Sequence, residues 1–484
     1  FYLYLNMTKP GEKLILSYSD TNAKGEGISP AYLIGSIRSL YPKLEIENSY
    51  YYPENPEAGI DLFLEKLVQE TEKEHEDILE QADETDAMFG ELYSWYLRNP
   101  EYRSRVQKLV QSAFAGKPKD IISQSVAKAL YGEVSPYSAT RLERFAACAF
   151  AHFLQYGMKL TERVEYEFKP MDMGNVMHEA LESFAEEVRK RGMKWTELTE
   201  QERNEIADRC LDNIVADYGN TVLKSSARNE YMIERTRRIL RRTVWALQKQ
   251  LEQGEFQPEG FEVTFGGGRI DRVDIMEDQN KVYVKVIDYK TGNTSFDLVY
   301  LYHGLQLQLM IYLDGALRVE QKKYPDKEII PAGVFYYNIK DPMIQEKIDA
   351  DVKAVSAGLM KELKMNGLVQ ADPELVYRMD SSLGSIPVAF NKDGSFRKNS
   401  SVADRTQFAV LGRYVRTKIE KIRSSILEGD AEVSPYELGK KNACTYCPYM
   451  TVCGFDRRLS GYEFRRLKNF SDEELWKAFD REAE

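Results

Sequence analysis

The sequence predicts an α/β fold in which a mixed β-sheet is flanked by helices. Three observations carry this. Residues 261–338 read in order as strand, strand, strand, apolar helix, strand, and strands interleaved with helices imply a sheet covered on its faces. The strand at 282–290 alternates with period two. The segments before and after this series carry apolar stripes at helical spacing.

Taken in order, residues 1–36 read as strand, turn and strand, with apolar runs at 2–5 and 14–18 and a loop holding Gly25 and Gly27. Residues 37–134 are helical in pattern, with Leu62, Leu64, Leu67, Val106, Leu109, Val110 and Phe114 as core candidates. The Gly- and Pro-containing stretch 132–136 marks a boundary. A helix then runs from Ser138 or Thr140 to about Tyr156, with Thr140 and Glu143 spaced as a capping box, Cys148 inside it and Gly157 as its stop. A second helix starts near Gly174, carries His178 and ends near Arg191. Met177, Leu181, Phe184 and Val188 form its buried stripe. Residues 195–252 read as charged helices inserted into this unit.

Strands follow at 261–266, 268–275 and 282–290, the last two joined by a polar turn at 277–280. The helix 304–317 is almost entirely apolar and so must be buried. A strand at 333–338 completes the sheet. Residues 345–430 are helical apart from a polar, hairpin-like stretch at 380–400. A loop-rich segment, 431–457, carries three cysteines, and 458–484 ends in a short amphipathic helix.

The 484 residues suggest two or three domains. The chain starts at Phe1 and is strand-like at once, which reads as a piece of a longer protein. No run of eighteen apolar residues and no signal-peptide pattern is present, which argues for the cytoplasm and against a membrane. A net charge of −11 excludes a chain coated in positive charge. It does not exclude nucleic acid, because that depends on where Lys and Arg cluster. The run 70–86 holds nine carboxylates and should repel DNA. The basic run 235–242, continuing to Lys249, is either a DNA-facing helix or a solvated face.

The densest chemistry lies at 268–290. Period two puts Val284, Val286, Asp288 and Lys290 on one face of their strand, and the neighbouring strand brings in Asp271. Two carboxylates can hold a hard divalent cation. A lysine beside them can orient water or neutralise charge developing on a phosphate. This is a minimal kit for metal-dependent phosphodiester cleavage, although Asp-x-Lys at a strand end can also be merely solvated.

Cys444, Cys447 and Cys453, with Pro448 and Gly454, can wrap a metal, and Cys148 is the natural fourth ligand. Four thiolates suit either a [4Fe–4S] cluster or structural zinc. Such a centre would staple the first helix of this unit to its last loop. Cys210 reads as an ordinary cysteine. Five cysteines without a secretory signal do not suggest disulfides.

Together these pieces resemble the RecB-type branch of the PD-(D/E)XK nucleases and, more closely, the C-terminal part of the B subunits of AddAB-type helicase–nucleases. The resemblance runs through 135–457. It rests on 138–148, Gly174 with His178, Gly268 with Asp271, Asp288 with Lys290, 304–312 and the cysteine loop. It departs where Ala149 follows Cys148 in place of proline.

The resemblance implies a restriction-endonuclease-like sheet with His178, Asp271 and Asp288 as ligands for Mg²⁺ or Mn²⁺. It implies Lys290 as the catalytic lysine and Gln308 with Tyr312 as a Gln-x-x-x-Tyr element near DNA. Gln306 competes for the glutamine role, and Glu262 could support the metal through a water. Cys148, Cys444, Cys447 and Cys453 would hold a [4Fe–4S] cluster.

Residues 1–36 resemble the end of a superfamily-1 motor domain, with Lys9 where working motors offer an arginine, and 37–134 would be helicase-derived. The implied activity is hydrolysis of single-stranded DNA, on the strand ending 5′, during double-strand-break processing. An A subunit would carry the active motor. The alternative is a non-catalytic DNA-binding scaffold with a four-cysteine metal staple.

Overall fold

The computed structural model describes residues 2–483 apart from 20–26, 45, 47–55, 58, 61–62, 65–66, 68–83, 114–120, 133, 136–137, 162–169, 218–225, 267, 345–350 and 459–460. Leu62, Phe114 and most of the acidic run 70–86 lie outside the described residues. The chain divides into two units, residues 1–115 and 116–484. This break precedes the boundary expected at 132–136. The reason is the helix Gln124–Tyr131, whose Ala127 and Tyr131 join Val134 in the core of the second unit.

In the first unit, Ile60, Phe63, Leu67, Tyr96 and Val106 form a small core. Helices Glu84–Arg98 and Pro100–Ala113 supply part of it, and Phe63 stacks on Phe89 at 5.0 Å. The strands expected at 2–5 and 14–18 do not form. Tyr2–Thr8 is helical, with the Thr8 hydroxyl donating to Tyr4 O at 3.0 Å, and Leu14, Ile15 and Leu16 are exposed without regular structure. A strand needs a ladder partner for its amides, and among the described residues none pairs with this segment.

The second unit is built on a six-stranded sheet in the order β1-β2-β3-β4-β5-β6. Its strands are β1 Gln257–Phe265, β2 Gly268–Asp278, β3 Lys281–Lys290, β4 Glu328–Asn338, β5 Asn366–Gln370 and β6 Val402–Ala403. β1, β2 and β3 are antiparallel neighbours, β3 and β4 are parallel, and β5 is antiparallel to β4. The sheet is therefore mixed, as expected, but two short strands from the 345–430 segment extend it. The β2–β3 turn is tighter than expected: pairing continues to Asp278 and Lys281, and Gln279 takes a φ of +44°, as two-residue hairpins require.

Each face of the sheet carries its own core. Val282, Val284 and Val286 pack with the helices Gln308–Lys323, Arg405–Glu428 and Asp472–Ala483. Tyr283, Ile287 and Tyr289 face the helices Pro170–Lys190, Glu200–Asp217 and Ala227–Leu251. The 195–252 segment is thus one wall of the main core and no detachable insertion: Leu211, Leu240 and Leu247 are fully buried there. Three arginines of its basic run are paired within the chain. Arg237 pairs with Asp212 at 2.7 Å, Arg238 with Asp341 at 2.6 Å, and Arg241 with Asp208. This favours the solvated-face reading over a DNA-facing helix.

Two helices differ from expectation. The first stops at Ala147, Cys148 is extended at φ −165° and ψ 118°, and the chain resumes as Ala149–His152 and a π-helical turn, Phe153–Gly157. The apolar helix begins at Gln308, after a short helix, Leu298–Tyr302, and a turn in which Gly304 adopts φ +79°. No helix among the described residues is long and apolar enough to cross a membrane.

Candidate active site

The two helical layers meet at the end of β3, where Asp288 and Lys290 leave the core. Asp288 is buried on the Val286 face. Register places Arg272 opposite Ile287, so Asp271 lies across from Asp288. The Tyr289 N–H donates to Asp271 Oδ2 at 2.7 Å, which fixes that carboxylate from the strand backbone.

From the opposite layer His178 reaches the same carboxylate: its Nδ1 lies 3.3 Å from Asp271 Oδ2 and 3.8 Å from Glu262 Oε1. The Tyr289 ring lies nearly perpendicular to the imidazole, with 6.1 Å between ring centroids. Phe261 pairs with Arg272 and Val263 with Ile270, so Glu262 lies across from Asp271. Glu262 takes a φ of +48°, a left-handed strain that persists only where surroundings enforce it. Its other oxygen meets Arg269 Nε at 2.6 Å.

His178, Glu262 and Asp271 offer ligand atoms that all lie within 4.8 Å of one another. The sequence suggested Glu262 behind a water, but its carboxylate stands beside His178 directly. Asp288 adjoins this group without belonging to it at that distance. Its Oδ2 lies 2.5 Å from Lys290 Nζ yet has no well-aligned hydrogen bond, although it is buried.

Lys290 Nζ also donates to Gln308 Oε1 at 2.8 Å, and Gln308 Nε2 donates to the Tyr312 hydroxyl at 2.8 Å. Gln306 is spent elsewhere, accepting from Asp297 N and donating to Ser295 O. Of the two glutamines, Gln308 is the one beside the lysine.

The electrostatics suit a cation. Burial drives the Asp288 carboxyl up to about 7, with Asp271 adding and Lys290 opposing. For His178, burial alone would lower the imidazole. Contact with Asp271 and Glu262 outweighs it and holds the ring up at about 10. Clustered carboxylates, a neutral-capable imidazole and a buried carboxylate oxygen without a well-aligned donor form a mixed N/O donor set for Mg²⁺ or Mn²⁺.

Sequence reasoning missed one residue. Glu143 reads in the sequence as half of a capping box with Thr140. Its Oε1 instead accepts from Leu307 N at 2.7 Å and Gln308 N at 3.0 Å. Burial pushes its carboxyl up to about 7 against the pull of these two amides and Lys290.

The four cysteines converge. Cys148, Cys444, Cys447 and Cys453 line one cavity, walled by Phe150, Ala151, Val433, Pro435 and Tyr449. Burial and the other three sulfurs push the Cys444 thiol up to about 12, and burial likewise raises Cys148. Bound metal reverses such shifts by favouring thiolates, so the donor set fits a thiolate-ligated centre. Cys210 is buried elsewhere, in the core of the helical wall.

A family profile for the PD-(D/E)XK nuclease superfamily matches residues 136–454. The chain belongs to this superfamily. Membership accounts for the mixed sheet flanked by helices. Across its full length the chain is also 40% identical to the B subunit of the ATP-dependent helicase/deoxyribonuclease of Lachnoclostridium phytofermentans. It is 32% identical to the corresponding protein of Alkaliphilus metalliredigens and 31% identical to that of Clostridium acetobutylicum. It covers 43% of the first of these proteins and 44% of each of the other two, so it spans less than half the length of the curated relatives it matches.

Proposed function

We propose that this chain is the nuclease-bearing part of a helicase–nuclease B subunit, and that it hydrolyses phosphodiesters of single-stranded DNA with Mg²⁺ or Mn²⁺ at the end of β3. The observation that carries the reading is the convergence of His178, Glu262 and Asp271 within 4.8 Å, beside a lysine held by Asp288 and Gln308. A divalent cation bound there would polarise a phosphate oxygen and acidify a water.

The chain's own groups do the rest. Asp271 is fixed by the Tyr289 amide, and His178 and Glu262 close the ligand set around it. Lys290 presents its ammonium to the charge that develops on the phosphate. Tyr312 accepts from the Gln308 amide nitrogen, which turns the amide oxygen towards Lys290. His178 and Lys290 each keep 28% of their side chains exposed at this end of the sheet, while Asp271 and Asp288 are buried behind them.

The name borne by the relatives, helicase/deoxyribonuclease, supports a partner A subunit that unwinds DNA and feeds this site. The setting would be double-strand-break processing for recombination repair in the cytoplasm. The cysteine cage would hold a [4Fe–4S] cluster.

The test is degradation of single-stranded DNA with and without Mg²⁺ by the wild type, Asp271→Ala and Lys290→Ala. Mg²⁺-dependent cleavage by the wild type alone is expected. Equal cleavage by all three, or none by any, would sink the reading in favour of a DNA-binding scaffold. Elemental analysis of the same preparation should find iron; zinc in its place would overturn the cluster assignment.

A further inference from the structure

The Gln308–Lys323 helix starts without a cap of its own: Leu307, which precedes it, makes no side-chain capping bond. A helix start leaves its first amides without intrahelical partners, and an adjacent polar side chain usually takes one of them. Here the acceptor comes from another helix. Glu143 lies on Ala139–Ala147, and one of its oxygens takes both the Leu307 and Gln308 amides across a sequence separation of more than 160 residues.

The consequence falls on the lysine. Lys290 has a flexible four-carbon stem, which fixes its ammonium poorly unless partners hold it. One partner is Asp288, on its own strand. The other is Gln308 Oε1, carried on the very residue whose backbone amide Glu143 grips. Tyr312, one turn further along, holds the other end of the same side-chain amide. Glu143 therefore sets the height of the helix start, the helix start sets Gln308, and Gln308 sets Lys290.

We propose that Glu143 is a positioning residue for the cleavage reaction, fixing Lys290 through the Leu307–Gln308 amides without touching substrate or metal. This rests on the nuclease reading given above. It depends on where the acceptor oxygen sits and not on its charge. Glutamine retains a carbonyl oxygen at the same reach, whereas aspartate keeps the charge but withdraws it by one methylene.

The experiment compares wild type, Glu143→Gln and Glu143→Asp on single-stranded DNA with Mg²⁺, and follows deuterium uptake at the 307–308 amides by mass spectrometry. Glu143→Gln should keep kcat within about threefold and keep both amides protected. Glu143→Asp should lower kcat by about 10²-fold, the scale of a 1 Å misplacement, with KM for DNA little changed and faster uptake confined to 307–308. Wild-type kcat in Glu143→Asp, or a KM effect without a kcat effect, overturns the proposal. If Glu143→Asp does not fold, Glu143→Gln decides: a fall in kcat above tenfold would show that the charge matters and overturn it. A wild type that does not cleave DNA refutes the nuclease reading instead, and uptake at 307–308 still reports whether Glu143 holds the helix start.

Discussion

At the residue scale, His178 and Asp288 tie the site to pH. Both bind protons more tightly in the metal-free fold than in an unfolded chain: about 10 for His178 against an ordinary 6.5, and about 7 for Asp288 against 3.8. A raised folded value stabilises below the unfolded value and is lost as pH rises through the folded one. The Asp288 contribution therefore fades from about pH 4 to 7, and that of His178 from about pH 6.5 to 10. A divalent cation at the proposed site would compete for the same groups and prefer them deprotonated. The rise in melting temperature caused by Mg²⁺ should accordingly grow between pH 5.5 and 8.5 and be small in His178→Gln. A pH-independent Mg²⁺ shift in the wild type would contradict this assignment. The residues Asp271, Asp288 and Lys290 were legible because period-two alternation is local. Glu143 was not: its spacing to Thr140 imitates a capping box, while its true partners are far along the chain. Gln306 and Gln308 could be separated only by which of them faces Lys290.

At the element scale, β2 carries one chemistry on each side. Asp271 opens towards the site, while Arg272 and Asp274 enter the core under the helical wall. Arg272 contacts Asp274 at 2.6 and 2.9 Å, and Lys285 of β3 contacts it at 2.9 Å, all three buried. The Arg272 guanidinium lies over the rings of Trp195 and Phe261. Asp274→Asn leaves two buried cations without their shared counter-charge, a loss of about 3–5 kcal/mol, to be read by urea unfolding; a loss under 1 kcal/mol would show that the triad relaxes or hydrates. The Gln308 helix depends on a close approach instead. A Cβ on Gly315 would sit 2.3 Å from the Phe265 ring of β1. Gly315→Ala should therefore cost about 1–3 kcal/mol despite its better helix propensity. A melting temperature equal to or above that of the wild type would show that Phe265 yields freely.

Strands and helices were legible to different degrees for the same physical reason. The β2–β3 hairpin is long and bounded by turns, whereas β4 begins at Glu328, five residues ahead of the expected start at 333, because Glu328–Pro331 pair with Lys281–Val284 of β3. β5 has five residues and β6 two, and each is a strand only because a neighbour offers a ladder. The alternating apolar run at 2–5 shows the converse: strand-like residues close a helical turn when no ladder is present. The break at Cys148 was hidden because no glycine or proline marks it. The extended residue there turns its sulfur into the cavity shared with Cys444, Cys447 and Cys453.

At the scale of the whole molecule, everything the proposed chemistry needs lies beyond residue 115. The two sheet cores draw their buried members from Ala127 to Phe479. Glu143, His178, Glu262, Asp271, Asp288, Lys290, Gln308, Tyr312 and the four cavity cysteines all fall in that span. The first unit has its own small aromatic core around Phe63 and Tyr96. A chain of residues 116–484 is therefore expected to fold by itself, to unfold in one cooperative transition and to retain iron and Mg²⁺-dependent cleavage of single-stranded DNA. Calorimetry, elemental analysis and the cleavage assay on one preparation check all three. A fragment that melts without a cooperative transition would show that the second unit's cores are incomplete alone. A fragment that folds and binds iron but does not cleave would place a required DNA contact in residues 1–115.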